Sequence, residues 1–437
     1  MNEPEIELRS RHVGAGDETE APDSLTSDSV NSSESLSSQP DSGWRAWMVV
    51  FGAFCANATT VGFMNSTGTV QDYLLQNDLS DKSESTVGWI FSIFVFLLML
   101  GGIQTGPLVD AYGVRPILIP GCLLWCVSVM ILSVCEDYYQ FILGFSVLGG
   151  IACSLIFNPS YTIISQWFSK KKPIALSVVA VGSSATGSFL PIVLSELFTT
   201  VGYGWGVRIV GFLFIVLCIV SLVTVQSRVT YTNNITWKDV SIDFNSLRIP
   251  NFLWTVAAVC LDEWAYYVPS MYIVGYARSV LKFSAQSSNL LLVYLNISSS
   301  VGRIAGGIVA RYYGSFNTNI VAALLTAASI VCLWIPFAES KPGMIAFTVV
   351  FGILSGVGMS LSPACVAAVS KPENFGKRYG TTFAFVSLAI LTSLPIGGTL
   401  TGNKYLAMKI VIAAVYLSAG VLFWVARQLT PRETKYI

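Results

Sequence analysis

Twelve apolar runs follow one another along this chain, near residues 46–70, 87–108, 116–135, 140–161, 173–197, 206–225, 250–273, 287–310, 318–336, 343–368, 379–400 and 407–426. Each is close to the roughly 20 residues that an α-helix needs to cross a bilayer. In lipid every backbone N–H and C=O must be satisfied within its own segment or in a closed barrel. The alternating strands of about ten residues that build a barrel are absent, so the runs are expected as helices. Composition agrees: 11% of residues are charged, against roughly 25% in soluble domains, too few to cover a water-facing surface. The expected fold is an all-α membrane protein with twelve transmembrane helices in two pseudo-symmetric halves of six.

Several functions are disfavoured by what the chain lacks. Its net charge is zero and no basic patch with interleaved aromatics occurs, which argues against nucleic acid. His12 is the only histidine, which removes a buried imidazole relay, the usual histidine zinc site and a Ser-His-Asp triad. The nine cysteines lie mostly in apolar runs without a CxxC, as small packing residues do. GxxxxGK[ST], HExxH and GxSxG are absent. We therefore expect no cofactor, no metal, no direct use of ATP and no enzyme.

Residues 1–43 are rich in Ser, Glu and Asp and contain no aromatic; such a tail buries too little apolar surface to offset its ordering entropy and is expected to be disordered. The rest divides into a first half (44–225), a central loop (226–249), a second half (250–426) and a short tail (427–437). Lys and Arg favour the loops on the tail's side by about two to one, with Lys82, Arg278, Lys282, Lys341, Lys404 and Lys409 counted to the other side. Both termini are expected in the cytoplasm. The plasma membrane is the expected location, with an internal membrane such as the vacuole as the alternative. No obligate protein partner is evident beyond the lipid bilayer.

Gly102–Pro116, GIQTGPLVDAYGVRP, carries a charge pair between the second and third runs. A copy follows the eighth run: Gly302, Gly306, Val309 and Tyr312 answer Gly102, Gly106, Val109 and Tyr112, with Ala310 in place of Asp110 and Arg303 in place of Ile103. One loop used twice at the same place in each half indicates a parallel repeat about an axis along the membrane normal. Its glycines let helices approach closely, and its carboxylate can face the positive end of a helix.

At these residues the chain resembles the major facilitator superfamily, whose loop between the second and third spans reads G-x-x-x-D-x-x-G-[RK]-x-[RK]. Gly106, Asp110, Gly113 and Arg115 match, while Val114 departs. The resemblance implies a cytoplasmic latch between halves, and we assign Gly302 and Gly306 to the same gating motif. Asp41–Trp47 (DSGWRAW) and Trp167–Gly187 (WFSKKKPIALSVVAVGSSATG) are similar to the first- and fifth-span signatures of the monocarboxylate porter family, with Pro173 and Ser177 departing. The acidic tail and short central loop look like its fungal branch.

Arg303 lies mid-way along the eighth run, one turn after Ser299. In animal porters of that family an arginine in this span binds the substrate carboxylate, and an aspartate one turn earlier carries the coupled proton; here that position is Ser299. Asp262 and Glu263 in the seventh run are candidates to carry the proton instead. Neighbouring positions point about 100° apart on a helix, so at most one faces a central cavity. Tyr266 and Tyr267 share that run, and Asn158 and Tyr161 flank a proline in the fourth. Asn65 stands near the place of a first-span lysine in animal members. The expected function is secondary active transport of a small organic solute by alternating access, a carboxylate or an acidic or amphipathic metabolite, with H+ as a possible coupling ion and export slightly favoured. Uptake of a monocarboxylate or vitamin-like solute is one alternative, and a non-transporting membrane sensor is another.

Overall fold

The computed structural model describes residues 43–228, 243–337, 340–371, 374–400 and 405–430. The acidic tail, most of the central loop, most of the C-terminal tail and the Asp110 side chain lie outside the described set. The described residues form no strand. The first half comprises α1 (Trp44–Gln76), α2 (Glu84–Leu100 continued by Gly102–Tyr112), α3 (Arg115–Leu132), α4 (Tyr138–Trp167), α5 (Lys172–Thr200) and α6 (Tyr203–Thr224). The second comprises α7 (Pro250–Ser279), α8 (Ala285–Tyr313), α9 (Ser315–Phe337), α10 (Lys341–Ala368), α11 (Phe375–Thr399) and α12 (Leu406–Leu429). Ten of these helices are long and apolar enough to cross a membrane. The other two, α7 and α11, are 30 and 25 residues long and carry Asp262, Glu263, Lys377 and Arg378.

Each half has its own aromatic core. In the first, Phe94 stacks on Phe145 at 4.7 Å, and Phe63 meets Trp125, Phe145 and Phe214 edge-on. In the second, Trp334 stacks on Phe347 at 4.7 Å, and Phe351 meets Tyr416. Rings in these geometries add about 0.5–1.5 kcal/mol per pair beyond their buried area. Such pairs therefore help fix how helices pack where lipid supplies no hydrophobic drive between them.

The structure shifts the register of the repeat. Gly113 and Gly314 both take positive φ, 81° and 87°, at the turns ending α2 and α8, a conformation that glycine adopts without steric penalty. Pairing these turns places each residue of the copy one position later than the sequence comparison had it. Gly307 then answers Gly106, and Arg303 answers Gly102. Packing agrees with this register. Gly302 and Gly306 lie against Ile353 and Val357 of α10, inside their own half, whereas Gly307 meets Pro173 and Ser177 of α5 in the other half. Assigning Gly302 and Gly306 to a latch between halves is therefore corrected: identical residue types one position apart sit on different helix faces.

Two seams join the halves. In the first, a side chain on Gly106 would overlap the Gly376 carbonyl, and one on Gly380 would overlap the Gly102 carbonyl. Two antiparallel GxxxG faces of α2 and α11 thus meet backbone to backbone. In the second, α5 meets α8, and the Ser184 and Ser300 hydroxyls hydrogen-bond at 2.7 Å. Each seam runs from mid-helix toward the end where α1 begins. Gly106→Val is expected to destabilise the fold by about 1–3 kcal/mol through overpacking, read as a lower melting temperature in detergent. Gly68→Ala, at a position with nothing within 4 Å, is the matched substitution expected to leave stability unchanged.

The beginning of the central loop is tied to the first half. Ser227 accepts a hydrogen bond from the Val114 backbone N–H at 2.7 Å, and the Gln226 carbonyl accepts one from Trp167 Nε1 at 2.9 Å. Arg115, matched to the superfamily motif, lies exposed at the start of α3.

Candidate substrate site

Arg303 is 3% exposed, although nothing charged lies near it in the sequence. Its Nε donates to Ser299 Oγ at 3.3 Å one turn back on α8. Its Nη1 donates across the seam to the Ala180 carbonyl at 2.8 Å and to Ser183 Oγ at 3.1 Å on α5. A guanidinium has five N–H donors and no acceptor, so burial requires acceptors around it. Here these three acceptors are neutral oxygens. Arg303 also lies within electrostatic reach of Glu263, Tyr161, Tyr266 and Tyr267. Four of the sequence candidates therefore gather around one cation at the second seam.

The two carboxylates of α7 point different ways, as helix geometry requires. Glu263, 2% exposed, lies within electrostatic reach of its neighbour Asp262 and also of Arg303 and of Tyr161 from the opposite half. Asp262 sits against α10, where a side chain on Gly358 would press on its Oδ2 at 2.6 Å. It also lies near Cys365 and Tyr416 inside its own half. Neither carboxylate forms an ion pair within 4.0 Å; among the described residues the ion pair at that distance is Lys82–Asp81, on the surface.

Asn65 joins the Arg303 cluster through Ser183. Its Nδ2 donates to the Ser183 carbonyl at 3.4 Å, while the hydroxyl of Ser183 accepts from Arg303. Gly187 lets Asn65 and Asn296 approach α5 from either half. Tyr161 stacks on Tyr379 across the halves at 5.7 Å and accepts a hydrogen bond from Asn57 Nδ2 at 3.2 Å. Asn158 belongs elsewhere. Its amide donates to Ser154 of its own helix at 3.2 Å, and its Oδ1 lies beside Gly102 in the first seam. The proline after Asn158 does not turn that side chain toward Arg303.

Asn57, Ser183 and Tyr379 were not singled out from sequence. Asn57 had a signal, a buried amide in the first apolar run, whereas Ser183 resembles the other small polar residues of α5. Lys409 is a further correction. Counted to a loop by position, it is 4% exposed inside α12. Its Nζ donates to Tyr276 Oη at 3.1 Å and to the Trp334 carbonyl at 3.4 Å, and it lies 4.5 Å from the Tyr276 ring centre. A desolvated cation over an aromatic face is worth about 2 kcal/mol. Lys409→Ala should lower stability by at least about that much, and Lys409→Met, which keeps an apolar stem, should recover part of it in a thermal unfolding assay. Among the described residues no group of three or more His, Cys, Asp or Glu could hold a metal.

Comparison with known proteins accords with this architecture. The family model of the Major Facilitator Superfamily matches residues 46–344. An MFS-type transporter of Gibberella moniliformis is 36% identical over 398 residues, covering 89% of this chain and 92% of that protein. The fujikurins efflux protein of Gibberella fujikuroi is 30% identical, with 98% and 94% coverage. The riboflavin transporter MCH5 of Saccharomyces cerevisiae is also 30% identical, with 86% and 75% coverage. The crystal structure of the human organic anion transporter MFSD10 has a TM-score of 0.69 at 16% identity, covering 87% of this chain and 99% of that one. Its likeness concerns the fold alone. With the family model spanning more than half the chain and transporter relatives aligned nearly end to end, this multi-pass membrane protein belongs to the Major Facilitator Superfamily and is a transporter, not an enzyme.

Proposed function

We propose that this transporter exports a small organic acid, or an amphipathic metabolite bearing a carboxylate, by alternating access through twelve spans with both termini in the cytoplasm. The observation that carries the reading is Arg303: a buried guanidinium held at the seam between halves by neutral acceptors. A carboxylate can take two parallel N–H bonds from such a group. Glu263, close to Arg303 but not paired with it, is the proposed site of the coupled proton. A buried carboxylate is stable when neutral, and charging it beside Arg303 links its proton to the anion site. Asp262, packed against α10, is assigned to the structure of the second half. Efflux names among the relatives support export. Flux through the purified protein in liposomes tests the reading: saturable carboxylate movement is expected, and no movement of any carboxylate under either sign of pH gradient would remove it.

Uptake of an aromatic, riboflavin-like solute is the second reading. It is favoured by the Tyr161–Tyr379 and Phe157–Phe383 pairs beside the site, at 5.7 and 5.9 Å, together with the riboflavin transporter among the relatives. Riboflavin flux that survives loss of Arg303 would favour it.

A further inference from the structure

The two seams answer each other by pseudo-symmetry, yet they are filled differently. At mid-seam α2 places a bare glycine, Gly102, against Gly380 of α11. At the matching place α8 sets Arg303 against α5, and the guanidinium bonds the Ala180 carbonyl and the Ser183 hydroxyl. One seam therefore closes by backbone contact, and the other closes on the residue proposed to hold the cargo.

From this we infer that the Ala180 carbonyl and Ser183 hydroxyl form a built-in substitute for the cargo anion, competing with it for Arg303 and displacing it as the seam closes. The inference rests on the reading of Arg303 as a carboxylate site. Both acceptors lie on α5 in the first half, and the arginine lies on α8 in the second. Alternating access separates the halves on the side where the seams now meet. In that separated state α5 carries its acceptors away, and Nη1 becomes available to a carboxylate. When the seam closes again, the same donor returns to Ala180 and Ser183, and the anion loses a partner while the opposite side opens. The buried cation is never left without acceptors, which would be strongly unfavourable. The arrangement makes affinity asymmetric: loading is tight from the side where α1 begins and weaker from the other, while the gradient sets the direction of net flux. Ser183 is accordingly a positioning residue for release. The nearby polar contacts fit this role, because Ser184–Ser300 at 2.7 Å and the close approach of Gly307 to Ser177 hold α5 and α8 in register beside Arg303. Glu263 of α7 and the phenols of Tyr161, Tyr266 and Tyr267 are the titratable groups that interact with Arg303.

The Ser184 and Ser300 oxygens are close enough that Ser184→Cys with Ser300→Cys should form a disulfide in this conformation when copper phenanthroline is added as oxidant. A protease site in the central loop, followed by a non-reducing gel, shows whether the halves stay joined; protein lacking the two new cysteines controls for native thiols. Arg303→Ala is expected to slow disulfide formation at least fivefold, Ser183→Ala about threefold or more, and Ser183→Thr, which restores the hydroxyl, should return it to near the starting rate. Benzoate is the probe for competition. It should slow the disulfide in protein with Arg303 and leave the rate unchanged in the Arg303→Ala protein. Equal rates with and without Arg303 and Ser183, in folded proteins with matched melting temperatures, would overturn the inference whether or not any carboxylate is carried. If the substitutions slow the bond but benzoate does not, although liposomes carry benzoate, the competition is overturned and Arg303 is only a strut. If the substitutions slow the bond and no carboxylate is carried, the proposed function fails while the strut stands.

Discussion

Arg303→Ala should lower carboxylate transport by roughly 10- to 150-fold, the equivalent of one hydrogen bond to a charged group at about 1.5–3 kcal/mol. The loss should appear in the concentration dependence as well as in the maximal rate if, as proposed, the guanidinium contacts the cargo rather than only the scaffold. Arg303→Lys keeps the charge but not the planar fork that matches a carboxylate. It should recover less than a tenth of the flux. The measurement is initial uptake into liposomes against substrate concentration, with protein amount and melting temperature matched. Full recovery by lysine would show that charge alone matters at this position.

The second large effect concerns Glu263. Glu263→Gln should abolish accumulation driven by a pH gradient, a loss of at least about tenfold, while exchange of one carboxylate for another across the membrane continues. A permanently neutral amide can occupy the site but cannot carry a proton, so the cycle that needs proton loss stops and the exchange that does not need it survives. Asp262→Asn should leave the gradient response in place, since Asp262 faces α10 and Gly358 rather than Arg303. If the two variants behaved alike in both assays, the division of labour drawn from their different directions on α7, about 100° apart, would be wrong.

Most of the fold was legible in the sequence because lipid allows so few answers. Apolar runs of helical length, the turn motif and its copy point to two halves. The site was only partly legible. Arg303 stood out because a charge inside a span is expensive, and adjacent carboxylates implied that only one could face the cavity. The choice of Glu263 needed the packing of α7 on α10. The register of the repeat could not be taken from matching letters: Gly306 and Gly307 are neighbours in sequence, and only the turn conformation shows which answers Gly106. Asn158 and Lys409 show the same limit, since a polar residue in a span can bond its own helix or an aromatic cage instead of a cargo. The Ala180 acceptor is a backbone carbonyl, which no residue type announces.

In the proposed cycle Arg303 and Glu263 together move a carboxylate and a proton. Purified protein in liposomes, loaded with benzoate and other simple carboxylates and challenged with a pH gradient of either sign, tests it most directly. The expected result is saturable flux whose direction follows the gradient, lost with Arg303→Ala and uncoupled from the gradient with Glu263→Gln. Saturable flux that ignores the gradient and persists in both variants would contradict it.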